Sequence, residues 1–230
     1  MGARLVDFPT FPCGISYVSC MLSLDQINKH LEVLSEPERI IWAHQQYANR
    51  LVLTTSFGTY SAVMLHLVKR HAPGTIVISV DTGHNEETRL FKQHLIEQLQ
   101  LSIEQYEVPP PPHDPTRPLE TIEEYLQKTK VDILEQALKK HQTLAWMSGV
   151  QRNETDHRKE FRYLMQRTDG LFKFHPLLDW DPRKLFSYCK EHELPVNDAY
   201  FDPAKGKDQK LECGIHLTGM ANESFTSSEL

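Results

Sequence analysis

The sequence predicts an α/β fold built on a parallel sheet flanked by helices, and three observations predict it. From Leu51 onward, short aliphatic and β-branched runs alternate with longer stretches of helical periodicity, the pattern of strands joined by crossover helices. The residues that close successive runs are hydroxyl-rich, glycine-bearing or basic, and an open parallel sheet presents its ligand site at such strand ends. A length of 230 residues, 40% of them hydrophobic, suffices for one substantial core with at most a small appendage.

In chain order, Leu24, Ile27, Leu31 and Leu34 recur at helical spacing. A second helix follows over Glu36–Tyr47, with Ser35 as its cap and Pro37 in its first turn. These two helices form a lid or flank. Strands are expected at Leu51–Thr55, Thr75–Val80 and Ile103–Val108, with helices at Tyr60–His71 and Glu86–Leu99 between them. Pro109, Pro110, Pro111, Pro112, Pro115 and Pro118 then forbid both helix and interior strand, so this stretch is a rigid connector. Beyond it come a helix over Leu119–Lys140, short strands at Thr143–Ser148 and Phe172–His175, and a helix over Pro182–His192. Everything after Glu193 reads as loop and tail, the polar end from Ala221 to Leu230 as disordered, and no internal repeat is present.

Twenty-five basic against 31 acidic residues give a formal charge of −6, which repels a phosphate backbone and argues against nucleic acid as a partner. No apolar stretch approaches the length of a membrane span, and 1–16 lacks a basic segment followed by a long apolar one, so the expected location is cytoplasmic with no membrane partner. The cysteines at 13, 20, 189 and 213 contain neither a C-x-x-C nor an adjacent pair, the usual spacings of zinc ribbons and four-thiolate clusters. Cys13 and Cys20 read as buried or idle thiols. The twelve histidines show no H-x-x-x-H pair, and no metal is expected.

Three strand-end turns are candidates for chemistry. Thr54-Thr55-Ser56-Phe57-Gly58-Thr59 opens onto a helix, where hydroxyls and backbone N–H groups suit an anion, although Ser and Thr there also serve as simple caps. Val80-Asp81-Thr82-Gly83-His84 closes the next strand with an acid and a glycine, which an ordinary strand-to-helix turn explains equally well. The stretch from Gly149 to Arg158 brings Arg152 and Arg158 near a strand end; guanidinium suits bidentate phosphate or sulfate recognition, and surface ion pairing is its plainer use. Near the C-terminus, Glu212-Cys213-Gly214-Ile215-His216 follows Lys205, Lys207 and Lys210. Nearby cations favour a thiolate, Glu212 opposes it, and a polar segment with an adjacent glycine suits a reactive thiol more than a packed one.

Taken together, Ser56-Phe57-Gly58, Asp81-Thr82-Gly83 with Glu87-Thr88, Gly149-x-x-Arg152 to Arg158, Lys173-x-x-Pro176-Leu177-x-Asp179-Trp180 and Glu212-Cys213-Gly214-Ile215-His216 resemble the assimilatory phosphoadenylyl sulfate and adenylyl sulfate reductases. The resemblance runs in order from Leu51 to His216, and its Glu-Cys-Gly-Ile-His end is its most specific part. It implies an adenine-nucleotide alpha-hydrolase-like, Rossmann-like fold and a thiol-based transfer. By that resemblance, Cys213 is expected to attack the sulfate sulfur and expel an adenosine phosphate, with thioredoxin or glutaredoxin as the electron donor that frees sulfite and with no cofactor bound. The implied substrate-binding residues are Ser56, Phe57, Gly58, Asp81, Thr82, Gly83, Arg152 and Arg158, with His216 assisting the thiol and Ser79 to Gly83 facing adenosine. The implied division is an N-terminal helical extension at 1–50, a nucleotide-binding α/β domain at 51–196 and a mobile tail at 197–230 carrying the catalytic cysteine.

The sequence departs from the family in places. It has neither the Cys-Cys pair nor the later Cys-x-x-Cys of the cluster-binding branch; that branch mostly uses adenylyl sulfate, so the absence of its cysteines favours the 3'-phosphorylated nucleotide here. Gln151 stands where the family has the first arginine of a double-arginine turn, and the basic segment before the cysteine is shortened, leaving Lys207 and Lys210 to replace its arginines. Two other functions fit the same fold: an ATP pyrophosphatase-type adenylylating enzyme, and a non-catalytic nucleotide-binding regulator. Against the first, Ser56-Phe57-Gly58-Thr59-Tyr60-Ser61 lacks the second glycine and the aspartate of the pyrophosphatase loop; against the second stand Cys213 and His216. A homo-oligomer is left open.

Overall fold

The computed structural model describes residues 22–109 and 119–205. Cys13, Cys20, the proline run from Pro110 to Pro118, and the tail with Lys207, Lys210, Cys213 and His216 lie outside the described residues. Helices α1 (Leu24–Val33) and α2 (Glu36–Tyr47) precede β1 (Leu51–Thr55), α3 (Ser61–His71), β2 (Ile76–Asp81), α4 (Glu86–Leu99) and β3 (Ile103–Glu107). Then come α5 (Leu119–Lys140), β4 (Ala145–Met147), β5 (Leu164–Gln166), β6 (Phe172–Phe174) and α6 (Pro182–Glu191).

Local chemistry sets the helix starts. Ser23 and Gln26 form a reciprocal capping box on α1, and Glu38 accepts from both the N–H and the hydroxyl of Ser35 at the start of α2. Asn85 accepts from the Thr88 N–H at 2.9 Å on α4, and Asp181, ahead of Pro182, accepts from the Lys184 N–H at 2.8 Å on α6. Gln100 ends α4 in the left-handed conformation, φ 50°.

The strands form one six-stranded sheet in the order β3-β2-β1-β4-β6-β5. All neighbours are parallel except β5, which pairs antiparallel with β6 through a tight turn containing Gly170 at φ 88°. The α/β reading therefore holds. The parallel sheet gains an antiparallel edge strand absent from the sequence reading, because three residues, Leu-Met-Gln, carry no periodicity.

The sheet separates two apolar layers. Leu51, Leu53, Val77, Ala145 and Met147 face α1, α2, α3, α4 and α6. Val52, Ile78, Val80 and Trp146 face α5, which presents Leu126, Leu134, Ala137 and Leu138. Helices α1 and α2 are bound to the body. Arg39 donates to the carbonyls of Leu31 and Pro176 at 2.7 and 3.1 Å and stacks 3.8 Å from the Tyr163 ring centre. Asn28, fully buried, donates to the Leu164 carbonyl at 2.8 Å and accepts from its N–H at 3.0 Å, so one side chain satisfies the outer backbone groups of the edge strand.

Replacing Asn28 by Ala strands both Leu164 groups in the interior, which costs about 2–4 kcal/mol at the usual penalty for buried unsatisfied groups. Urea unfolding should show the lowered midpoint, and a change below about 0.5 kcal/mol would mean that water replaces the amide there.

Candidate active site

Strand order reverses between β1 and β4: the chain builds outward from β1 to β3, then returns to place β4 on the other side of β1. At such a switch point the loops after the two strands diverge and leave a crevice beyond their carboxyl ends. A cavity of about 490 Å³ lies there, bounded by Thr54 and Thr55 at the end of β1, Ser56 and Gly58–Ser61 after it, Ser148–Gln151 with Glu154, Thr155 and Arg158 after β4, Lys130 and Leu134 of α5, and Tyr200, Asp202 and Lys205.

The β1 turn is held in a strained form. Phe57 adopts φ 55°, a left-handed conformation that costs a non-glycine residue about 1–3 kcal/mol. Its ring is fully buried in the core with the Lys92 ammonium 5.4 Å from the ring centre, and its N–H donates to Thr55 Oγ1 at 3.1 Å. The ring therefore anchors the turn while Ser56 and Gly58 line the cavity. Tyr60 makes no side-chain cap on α3, so the positive end of that helix dipole meets the cavity wall.

On the opposite wall Arg158 is buried and pairs with Glu154, and its backbone N–H donates to Thr155 Oγ1 at 3.3 Å. Arg152 is turned elsewhere. Its guanidinium donates to Asp179 at 2.7 Å and to the carbonyls of Lys159 and Phe161, and so braces the loop between β4 and β5 without lining the cavity. Gln151 donates to the Gly149 carbonyl and lines the cavity.

The turn after β2 divides its roles. Asp81 Oδ1 accepts from the N–H groups of Gly83 and His84, each at 2.9 Å, and the His84 side chain beside it, acting against burial, holds the carboxyl well below the usual carboxylate range. Gly83 sits at φ 96°, where any side chain is strained. Asp81 and Gly83 line a second cavity of about 520 Å³ with Arg89, Lys92 and Glu107. Thr82 instead donates its hydroxyl to Asp202 at 3.1 Å. Of the residues expected to bind substrate, the fold thus brings Ser56, Gly58 and Arg158 to one cavity, and Phe57, Thr82 and Arg152 brace it.

Asp202 ties the 197–205 segment to the lip of the cavity. Its carboxylate meets Lys130 Nζ at 2.7 Å, with both side chains buried. Burial raises the Asp202 pKa, but the Lys130 charge and the hydrogen bonds from Lys130, the Ala204 N–H and Thr82 outweigh it and leave the group lowered. Lys130 carried a sequence signal of its own: it occupies the buried i, i+4 stripe Leu126, Lys130, Leu134, Leu138, where a charge needs a partner. Trp146 and Thr54 form the floor, with the indole N–H donating to Thr54 Oγ1 at 2.7 Å and the buried Lys173 5.3 Å from the ring centre. Behind them Ser148 Oγ lies 3.0 Å from His175 Nδ1. Burial, and then the charges of Lys173 and Arg158, push His175 down to about 3, so its ring is neutral.

Lys130, Arg158 and Lys205 outnumber the acidic lining residues Glu154 and Asp202, three against two, and the uncapped helix start adds its partial positive charge to the lining. Among the described residues no cluster of three or more His, Cys, Asp or Glu side chains is placed to hold a metal ion, and no helix is long and apolar enough to cross a membrane.

The phosphoadenosine phosphosulfate reductase domain model matches residues 50–203, which contain every wall of this cavity except Lys205. The chain belongs to the phosphoadenosine phosphosulfate reductase family. A phosphoadenosine 5'-phosphosulfate reductase of Synechocystis is 31% identical over 94% of this chain and all of its own length. The enzyme of that name from Proteus mirabilis is 37% identical over 76% of each chain. Among solved structures, a phosphoadenylyl-sulfate reductase of Candida auris in a phosphate complex superposes with TM-score 0.65 at 22% identity, covering 77% of this chain and 90% of its own. An ammonia-dependent NAD synthetase of Campylobacter jejuni shares the fold at TM-score 0.51 and 13% identity, covering 75% of each chain. The expected adenine-nucleotide alpha-hydrolase-like, Rossmann-like fold is thus present in this family member.

Neutral His175 sets an acid limit on the fold. Its pKa is about 3 when folded against 6.5 as the ordinary value, so between these values the unfolded chain binds the additional proton; stability is present above that window and is lost as pH falls through it. The urea midpoint should therefore drop between about pH 7 and pH 5, and drop less in His175→Gln; equal drops would place the acid sensitivity in other groups.

Proposed function

We propose that the chain is a thioredoxin-dependent sulfonucleotide reductase acting on 3'-phosphoadenylyl sulfate, with Cys213 as nucleophile. The observation that carries this reading is the switch-point cavity, cationic and rimmed by Ser56, Gly58 and Arg158, with the chain leading to Cys213 fastened at its lip by Asp202 and Lys130. Cys213 lies eight residues beyond Lys205, which lines the cavity, so at most about 29 Å of extended chain separates them. Both relatives above are named for the phosphorylated nucleotide, and both cover three quarters or more of this chain.

The chemistry asks little of the walls beyond charge and position. The Cys213 thiolate attacks the sulfate sulfur, an S–S bond forms, the bond from sulfur to the bridging phosphate oxygen breaks, and its electron pair leaves with adenosine 3',5'-bisphosphate. The enzyme holds S-sulfocysteine. One thiol of reduced thioredoxin or glutaredoxin then attacks Cys213 Sγ and expels sulfite, and the donor's second thiol resolves the mixed disulfide, so two electrons pass from donor dithiol to sulfite and free Cys213. Charge grows on the departing phosphate oxygen. Arg158, the Gly58 N–H, Ser56 and the start of α3 are the groups that answer it, with Lys207 and Lys210 as further cations and His216 as donor to the sulfo oxygens. Arg152, held by Asp179, acts by bracing the Arg158 loop.

Intact-protein mass spectrometry of the reduced chain, incubated without donor, tests the reading. One SO3 should appear on Cys213, faster from 3'-phosphoadenylyl sulfate than from adenylyl sulfate, and Cys213→Ser should bind the nucleotide yet form no adduct. No adduct from either nucleotide would overturn the reading in favour of a nucleotide-binding protein without this activity.

A further inference from the structure

We infer that Asn197 is a positioning residue that aims the Gly58 N–H at the leaving phosphate, and the inference rests on the reading of the switch-point cavity as the sulfonucleotide site. Asn197 is 3% exposed and lies outside the cavity wall, behind the β1 turn. Its side-chain nitrogen donates to the Phe57 carbonyl at 2.8 Å and to Thr88 Oγ1 of α4 at 3.1 Å, while its backbone N–H donates to the Thr59 carbonyl at 3.0 Å. A backbone carbonyl only accepts, so the amide nitrogen must be the end that faces Phe57.

The consequence follows from the geometry of one peptide unit. In a trans peptide the C=O of residue i and the N–H of residue i+1 point in opposite directions. Asn197 draws the Phe57 carbonyl inward, so the Gly58 N–H is directed outward, to the side on which Gly58 lines the cavity. Phe57 itself sits at φ 55°, and a non-glycine residue stays there only where its surroundings enforce it. Phe57 has its ring locked in the core, its N–H held by Thr55 Oγ1 and its carbonyl held by Asn197.

Asn197 also opens the segment that carries Ala199, held by Asn85 Nδ2 at 2.8 Å, and Asp202, held by Lys130. One amide therefore fixes the anion turn relative to the strap that leads toward Cys213. Aspartate has the same shape but no N–H to give, and would set a carboxylate against the Phe57 carbonyl.

The test uses the full-length protein labelled with 15N-glycine and adenosine 3',5'-bisphosphate, the nucleotide product of the proposed reaction. The nucleotide should shift the Gly58 amide resonance, identified by its loss in Gly58→Ala, and slow its exchange with solvent. In Asn197→Asp that response should shrink, and the single-turnover rate of SO3 transfer to Cys213, counted per protein able to form adduct, should fall about tenfold to a hundredfold, less than outright removal of such a donor costs. A purely structural role would lower the melting temperature and the competent fraction but leave the rate per competent molecule unchanged. A Gly58 amide indifferent to a nucleotide that shifts other glycine resonances, or a folded Asn197→Asp with the wild-type rate, overturns the inference and leaves the cavity reading intact. Failure of the wild type to bind nucleotide or form adduct overturns the cavity reading itself. Should Asn197→Asp not fold, the Gly58 measurement on the wild type decides.

Discussion

A parallel sheet must be covered on both faces, since its strands are apolar on each, and the unequal way in which this chain meets that constraint determines the rest. Five helices share one face, while among the described residues α5 and the short turn at 203–205 cover the other. The thinly covered face leaves room beyond the strand ends, and the switch in strand order between β1 and β4 turns that room into the cavity. Because α5 lies beside the opening, its inward stripe must serve both core and site. That explains a lysine among leucines.

The Lys130–Asp202 pair shows what such a compromise does. Two buried charges gain from each other's field but lose hydration, and the balance for stability is close to neutral. Their effect is geometric: an ammonium on α5 and a carboxylate on the C-terminal segment have one low-energy arrangement, and Thr82 and the Ala204 N–H fill the remaining acceptor positions on Asp202. Arg158 with Glu154 and Arg152 with Asp179 repeat the device in the loop after β4. The cations on and behind the cavity wall thus have their places fixed by paired carboxylates within the fold itself.

Much of this was legible in the sequence, for identifiable reasons. Glu36–Tyr47, Leu51–Thr55 and Glu86–Leu99 were readable residue for residue, because caps and sharp changes of period mark their ends. The antiparallel edge strand was not, since pairing across a turn leaves no period in three residues. Ser56, Gly58 and Arg158, singled out because strand-end position and residue type point the same way, do line the switch-point cavity. Arg152 shares that signal yet braces a loop, because chain proximity does not reveal which guanidinium turns toward Asp179. Asn197, Asp202 and Tyr200 were unreadable as site residues: they arrive from more than a hundred residues away, carried by a segment without periodicity. Lys130 lay between these cases, visible as a charge in an apolar stripe but without a sequence clue to its partner.

The two borders of the sheet are treated differently, with a bearing on solubility. At β5 the Asn28 amide occupies the outward N–H and C=O of Leu164, so an approaching strand finds those groups already engaged. At β3 the strand Ile103–Glu107 carries Glu104, paired with Lys140, and Glu107 among its five residues, and charged side chains along a border strand discourage another strand from adding there. Unprotected borders are where sheets of separate molecules fuse into aggregates. One border here is engaged by a side chain that takes the place of a strand and the other carries charge, so each end of the sheet has its own obstacle to extension.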